Sequence, residues 1–151
     1  MDTKTTTHQA LLSPGEHQSD LATLHKMAVA AYPVGSRRHV LWNGFQRLYS
    51  VFIASGLQGL DIWVDGSFMT SKPEPNDINA VVWIPDDHMS NCTPEQLRQL
   101  EFLKDDAAIA VQYGVNLFIE HVEEDADDVW RQWFTAADGH CDSKGFVRIA
   151  L

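Results

Sequence analysis

Hydrophobic and polar positions along the 151-residue chain repeat with two different periods, and each change of period marks a new element. Leu21, Leu24, Ala28 and Ala31 recur at helical spacing; Ser19 is placed to cap this run, and Tyr32-Pro33 ends it because the residue before proline avoids the α region. A longer helix follows from a Ser36 cap, with Leu41, Phe45, Leu48 and Phe52 on one face and Gly56 as its stop. Leu60, Ile62 and Val64 then alternate with Asp61, Trp63 and Asp65, which predicts a strand ending at Gly66-Ser67. After a proline-punctuated loop over residues 70–76, the near-continuous apolar run Ile78–Ile84 predicts an interior strand covered on both faces.

Thr93-Pro94-Glu95-Gln96 combines a cap, a first-turn proline and a capping-box glutamine, which predicts a third helix running to about residue 110. Residues 115–122 alternate as a strand. Asp125 opens a fourth helix with Val129, Trp130 and Trp133, stopped by Gly139, and residues 146–151 form a last strand. The order helix, helix, strand, strand, helix, strand, helix, strand gives one α/β domain, a mixed central sheet flanked by helices, with no internal repeat. Residues 1–11 are expected to be disordered and residues 12–151 to form the domain. Trp63, Trp83, Trp130 and Trp133 read as packing residues.

Composition adds two exclusions. No stretch reaches the roughly 18 uninterrupted apolar residues of a membrane span, and the first ten residues lack a signal-peptide core, so a cytoplasmic protein with no membrane partner is expected. The net charge of −10 falls wholly in the second half. Residues 1–75 carry 6 acids and 6 bases, residues 76–151 carry 15 and 5, and such a balance disfavours long nucleic acid as a ligand. Cys92 and Cys141 form no CxxC pair and read as reduced thiols. Six acids in residues 120–128 fit no calcium loop and suit a solvated helix start, with a basic protein partner as the alternative. His140, Cys141 and Asp142 are too close in sequence to converge on one ion.

Chemistry concentrates in residues 63–84. Gly66 allows backbone to approach a ligand, and Ser67 with neighbouring amides suits a phosphate; the bland reading is a strand-ending turn. Asp77 and Asn79 project from one face of an extended segment, as a pair of cation ligands does, while Asp77 also suits a turn cap. Lys72 on the intervening loop is either a triphosphate contact or a solvated charge. Arg37 and Arg38 lie in a first helical turn, where the dipole disfavours cations, so a carboxylate or a bound phosphate is expected beside them, or surface pairing.

Asp65-Gly66-Ser67-Phe68, the loop with Lys72 and Pro75, and Asp77-Ile78-Asn79 before an apolar strand resemble the nucleotidyltransferase signature, in which a Gly-Ser turn precedes an Asp-x-Asp strand. Leu12-Ser13-Pro14-Gly15, Arg37-Arg38 and Lys144-Gly145 extend the likeness to a small prokaryotic and phage group of nucleotidyltransferase-like proteins. The resemblance implies a minimal nucleotidyltransferase-like domain that takes a nucleoside triphosphate with Mg²⁺. In it, Gly66 and Ser67 hold phosphate, Lys72 assists, and Asp77, Asn79 and Asn116 stand at the three carboxylate positions. An amide supplies no charge to a two-metal site, so two Asn residues at carboxylate positions imply a degenerate centre, with Glu120 or Asp65 as substitute ligands. Two readings follow. One is an inactive member that binds nucleotide, or a protein partner through its acidic half, in a toxin–antitoxin, immunity or phage-defence setting. The other is an active Mg²⁺-dependent transferase that modifies a protein or RNA hydroxyl.

Overall fold

The computed structural model describes residues 8–56, 59–121, 126–135 and 144–150. Among the described residues there are twelve elements: β1 (Gly15–Ser19), α1 (Leu21–Ala28), α2 (Arg37–Ala54), β2 (Asp61–Asp65), a 3-10 turn (Ser67–Met69), β3 (Ile78–Ile84), α3 (Asp86–Asn91), α4 (Pro94–Leu103), α5 (Asp106–Tyr113), β4 (Val115–His121), α6 (Ala126–Thr135) and β5 (Gly145–Ala150). The sheet is mixed, in the order β1-β5-β2-β3-β4, with β1 parallel to β5, β3 parallel to β4, and β2 antiparallel to both of its neighbours. The expected α/β class is therefore observed, and β3 is interior as its composition predicts. Among the described residues no helix is long and apolar enough to cross a membrane.

Period-two alternation divides the strand side chains between two layers. Ile62, Val64, Ala80, Val82, Leu117 and Val147 face one layer, where they join Leu41, Phe45 and Phe52 of α2 and Ile109 of α5 in the larger core. Helices α2 and α5 pack tightly here, since a Cβ on Gly44 would lie 2.0 Å from the Tyr113 carbonyl oxygen. Trp63, Val81, Trp83 and Phe146 face the other layer with Phe134 of α6, and Phe118 and Trp130 pack against them. The Trp63 ring stacks on Phe146 at 4.8 Å and lies under the Arg131 guanidinium at 4.9 Å. Arg148 closes this face at one end, donating to Asp61 Oδ2 at 2.6 Å, a bond that raises its pKa above the ordinary arginine value. Trp63, Trp83 and Trp130 are thus packing residues; the side chain of Trp133 lies outside the described residues, as do Gly139, His140, Cys141 and Asp142.

Three expectations need correction. Asp20, not Ser19, caps α1, its carboxylate accepting the Thr23 amide at 2.7 Å, which holds its pKa below the usual 3.8. Strand β1 was not expected: Gly-Glu-His-Gln-Ser has no apolar alternation, and what makes it a strand is its parallel pairing with β5 at the sheet edge. The predicted third helix is two, because the Asp105 side chain accepts the Ala108 amide at 3.1 Å and starts α5 afresh, and α3 precedes them. Before the expected boundary at residue 12, the described residues already make backbone contacts. Gln9 and Leu11 bond residues 69–71 through Ser71 N–H to Gln9 O at 2.8 Å and Leu11 N–H to Met69 O at 3.0 Å.

The loop after β2 is held mainly by Arg38, the largest fully buried polar side chain. Its Nε donates to Lys72 O at 3.1 Å, Nη1 to Ala28 O at 3.0 Å and Phe68 O at 2.7 Å, and Nη2 to Lys72 O at 2.7 Å and to Thr70 O. These five bonds use every guanidinium donor. The cation lies between the Tyr32 and Phe68 rings, 4.8 and 5.1 Å from their centroids, and burial pushes its pKa below the ordinary value. Arg37 beside it donates to Pro75 O at 3.2 Å and to Asn76 O. Carbonyl oxygens of the chain accept from both cations.

Replacing Arg38 by Met would leave several buried carbonyls without donors, at an expected cost of about 3 kcal/mol or more. Arg38→Lys, with three donors in place of five, should recover only part of it. Urea denaturation checks both variants, and a loss below about 1 kcal/mol for Arg38→Met would mean that the loop is held by something else.

Candidate functional site

Strand β2 ends at Asp65 because Gly66 takes φ +93° and ψ −169°, a region that side-chain-bearing residues avoid. The turn that follows is anchored by the fully buried Phe68 and Met69. It is closed by Met69 N–H to Gly66 O at 3.0 Å and by the Thr70 hydroxyl to Ser67 O at 2.6 Å, leaving Ser67 part-exposed. Gly66 lies flat on Asn79. A Cβ there would come within 2.9 Å of Asn79 Nδ2 and 3.1 Å of its Cγ.

The sheet register sets Asn79 beside Asn116 and beside Asp65; Asp77 lies just before β3, outside that register. Asp65 is paired with Asn79 across β2 and β3, and Asn79 with Asn116 across β3 and β4. Neighbouring strands are about 4.8 Å apart, so the three residues form one row on the α6 face, beside the Gly66-Ser67 turn. Asn79 and Asn116 are part-exposed and Asp65 is buried. Asp77, just before β3, is part-exposed and two residues, or about 7 Å of extended chain, from Asn79.

Lys144 completes the group. Its Nζ lies 3.9 Å from Asp65 Oδ2, with both side chains only 4% exposed. The Lys144 amide donates to Thr135 O at the end of α6 at 3.3 Å, so two elements position it. Sequence reasoning quoted Lys144 without giving it a role. The signal was weak: only the insertion of β5 beside β2 brings residue 144 to residue 65.

Other expected residues fall elsewhere. Glu120 is paired with Trp83, four residues beyond the Asn79–Asn116 row, or roughly 13 Å at the strand rise, so it cannot substitute at that row. Lys72 is part-exposed on the loop that Arg38 holds, its amide bonded to Thr70 Oγ1 at 3.2 Å. Residues 122–125 and the side chains of 126–128, the rest of the acidic stretch, lie outside the described residues.

These residues do not fit a two-metal centre. Two Mg²⁺ ions bring four positive charges and need several carboxylate oxygens. The expected set offers one carboxylate, Asp77, and two neutral amides, the neighbouring Asp65 already faces an ammonium, and among the described residues no three His, Cys, Asp or Glu side chains gather as a metal cage. Two part-exposed amides, a part-exposed hydroxyl and a glycine turn are the kind of groups that can meet an anionic, oxygen-rich ligand.

A separate cavity of about 520 Å³ opens between α1 and α2, lined by His25, His39, Trp42, Asn43 and Gln46 among others. Compared with known proteins, the chain matches one family model, described as a family of unknown function (DUF6932), over residues 4–150. No curated protein and no solved structure matches it.

Gly66→Ala should destabilise the fold by about 1–3 kcal/mol, because it adds both a strained φ and a clash with Asn79. In an Asn79→Ala background the same change should cost measurably less, since the two closest atoms are gone. Equal costs in the two backgrounds, from denaturant titration of the double-mutant cycle, would contradict the contact.

Proposed function

The chain belongs to that family of unknown function, and we propose that it is a nucleotide-binding domain of the nucleotidyltransferase kind in which the metal-dependent transfer step has been lost. The observation that carries this reading is the in-register row Asp65–Asn79–Asn116 set against the Gly66-Ser67 turn. Asn79 and Asn116, two of the three positions at which the resemblance implies carboxylates, are paired in register and are amides; Asp77, the third, precedes Asn79 by two residues, and Asp65 is the acid of the row. In-line attack on an α-phosphate depends on cations that neutralise the developing charge and orient the attacking oxygen. Amides bind such oxygens without supplying that charge.

The roles then divide. Gly66 and Ser67 hold phosphate oxygens through backbone and hydroxyl, Asn79 and Asn116 donate from the sheet, and Lys72 approaches from the loop. The acid surplus of residues 76–151 supports a basic protein partner for the same domain, in an antitoxin or immunity role. No covalent step is assigned to any residue.

ATP should raise the melting temperature in a saturable way, and labelled ATP with Mg²⁺ or Mn²⁺ should label neither the protein nor an added acceptor. The Asn79→Asp/Asn116→Asp variant should bind Mg²⁺ at least about tenfold more tightly than the wild type, because it adds two carboxylate ligands. No nucleotide-dependent melting shift with any nucleoside triphosphate would overturn the reading, and so would efficient transfer by the wild type.

A further inference from the structure

We infer that His25 of α1 and His39 of α2 are the two protein ligands of an open site for a late first-row divalent cation of the Zn²⁺ or Ni²⁺ type, separate from the Gly66-Ser67 turn. Both rings line the cavity of about 520 Å³ between the two helices, with their centroids 6.3 Å apart and their planes at 84°. Planes at such an angle meet along a line, and one ion on that line lies in the plane of both rings, as coordination by ring nitrogens requires. At a metal–nitrogen distance of about 2.0–2.1 Å, two imidazoles on one tetrahedral ion have centroids roughly 5 Å apart. The observed pair is wider by about 1 Å, a gap that small χ rotations inside the rotamer wells close.

Each ring has a nitrogen to give. His39 Nε2 lies 2.8 Å from the Tyr32 carbonyl oxygen, which can only accept, so Nε2 carries the proton and Nδ1 keeps its lone pair in the neutral ring. A second nitrogen fixed on a carbonyl is the usual support of a metal-bound imidazole. The His25 ring makes no hydrogen bond among the described residues and is held by its aromatic contact with Trp42 at 5.4 Å. The rest of the lining decides the class of ligand. Among the described residues it contains no Lys or Arg to hold an anion, and no Asp or Glu to attract Mg²⁺ or Ca²⁺. Trp42 is only 4% exposed, between His25 and Phe45, so it presents no open ring face to a stacking ligand. What is left is two imidazole nitrogens and the exposed carboxamides of Asn43 and Gln46, a neutral nitrogen-and-oxygen set that suits zinc, nickel or copper. With two imidazole ligands, the other coordination positions stay open to water from the cavity.

Calorimetric titration of the untagged full chain with Zn²⁺, together with NMR line broadening by Ni²⁺, tests the site. Zn²⁺ should bind saturably, its tightest site with one-to-one stoichiometry, and should raise the melting temperature because it ties α1 to α2. The chain has 7 histidines, so the signal must be assigned. Sub-stoichiometric Ni²⁺ should broaden first the amides around His25, His39 and Trp42. His25→Phe, which keeps a ring beside Trp42, and His39→Phe should each weaken Zn²⁺ binding at least about tenfold. Melting curves in EDTA show whether each variant is folded, and the Ni²⁺ broadening needs no substitution, so it decides the matter where a variant does not fold. No saturable binding of Zn²⁺ or Ni²⁺ below about 1 mM would overturn the inference. Broadening centred on the other histidines, or wild-type affinity in a folded variant, would overturn it as well.

Discussion

One buried cation organises the part of the molecule where chemistry is expected. Arg38 leaves no guanidinium donor unused, and among the described residues none of its partners is a carboxylate; the carbonyls of Ala28, Phe68, Thr70 and Lys72 share its charge. Those carbonyls belong to the end of α1 and to the loop after β2, while Arg38 itself belongs to the first turn of α2. A single side chain therefore ties two helices to the loop that follows Gly66-Ser67. The N-terminal segment clasps the same loop from Gln9 and Leu11, and Arg37 holds its far end at Pro75 and Asn76. A turn restrained in this way has little conformational entropy left to lose when a ligand binds.

On this fixed turn, charge is arranged unlike the pattern that the signature resemblance implies. The chain has 21 acidic residues, yet the row beside the turn contains one acid and two amides, and that acid faces Lys144. A buried ion pair is weak support for stability, because desolvation offsets much of its attraction. Its value here is positional. It joins β2 to the start of β5 across 79 residues of sequence, so the site is complete only when the last strand has inserted between the first two of the sheet. Adjacent acidic side chains would repel one another without metal, and amides at 79 and 116 remove that repulsion.

Much of the fold was legible locally. Strand β3 runs over the expected residues because a continuous apolar stretch of that length suits a covered strand, and the Thr93-Gln96 capping box forms as read. Strand β1 was not legible, since its polar residues are held by pairing with a strand about 130 positions away. The break between α4 and α5 turned on one aspartate acting as a second cap. Within the site, Asn79 was singled out by its spacing to Asp77, whereas Asn116 was named only through the resemblance; their pairing rests on the register of β3 and β4. Glu120 was misjudged because sharing a face is not sharing a row. Arg38 and Lys144 were named without their roles, because a carbonyl clamp and a cross-sheet ion pair depend on topology that no local pattern carries.

The central claim is that the Gly66-Ser67 turn and the row beside it form an anion-binding site. Amide-resolved NMR of the labelled chain, titrated with ATP in EDTA, tests it most directly. Shifts should concentrate at Gly66, Ser67, Asn79, Asn116 and Lys144 and saturate together. Shifts centred on His25, His39 and Trp42 in the cavity between α1 and α2, or no shifts at all, would contradict it.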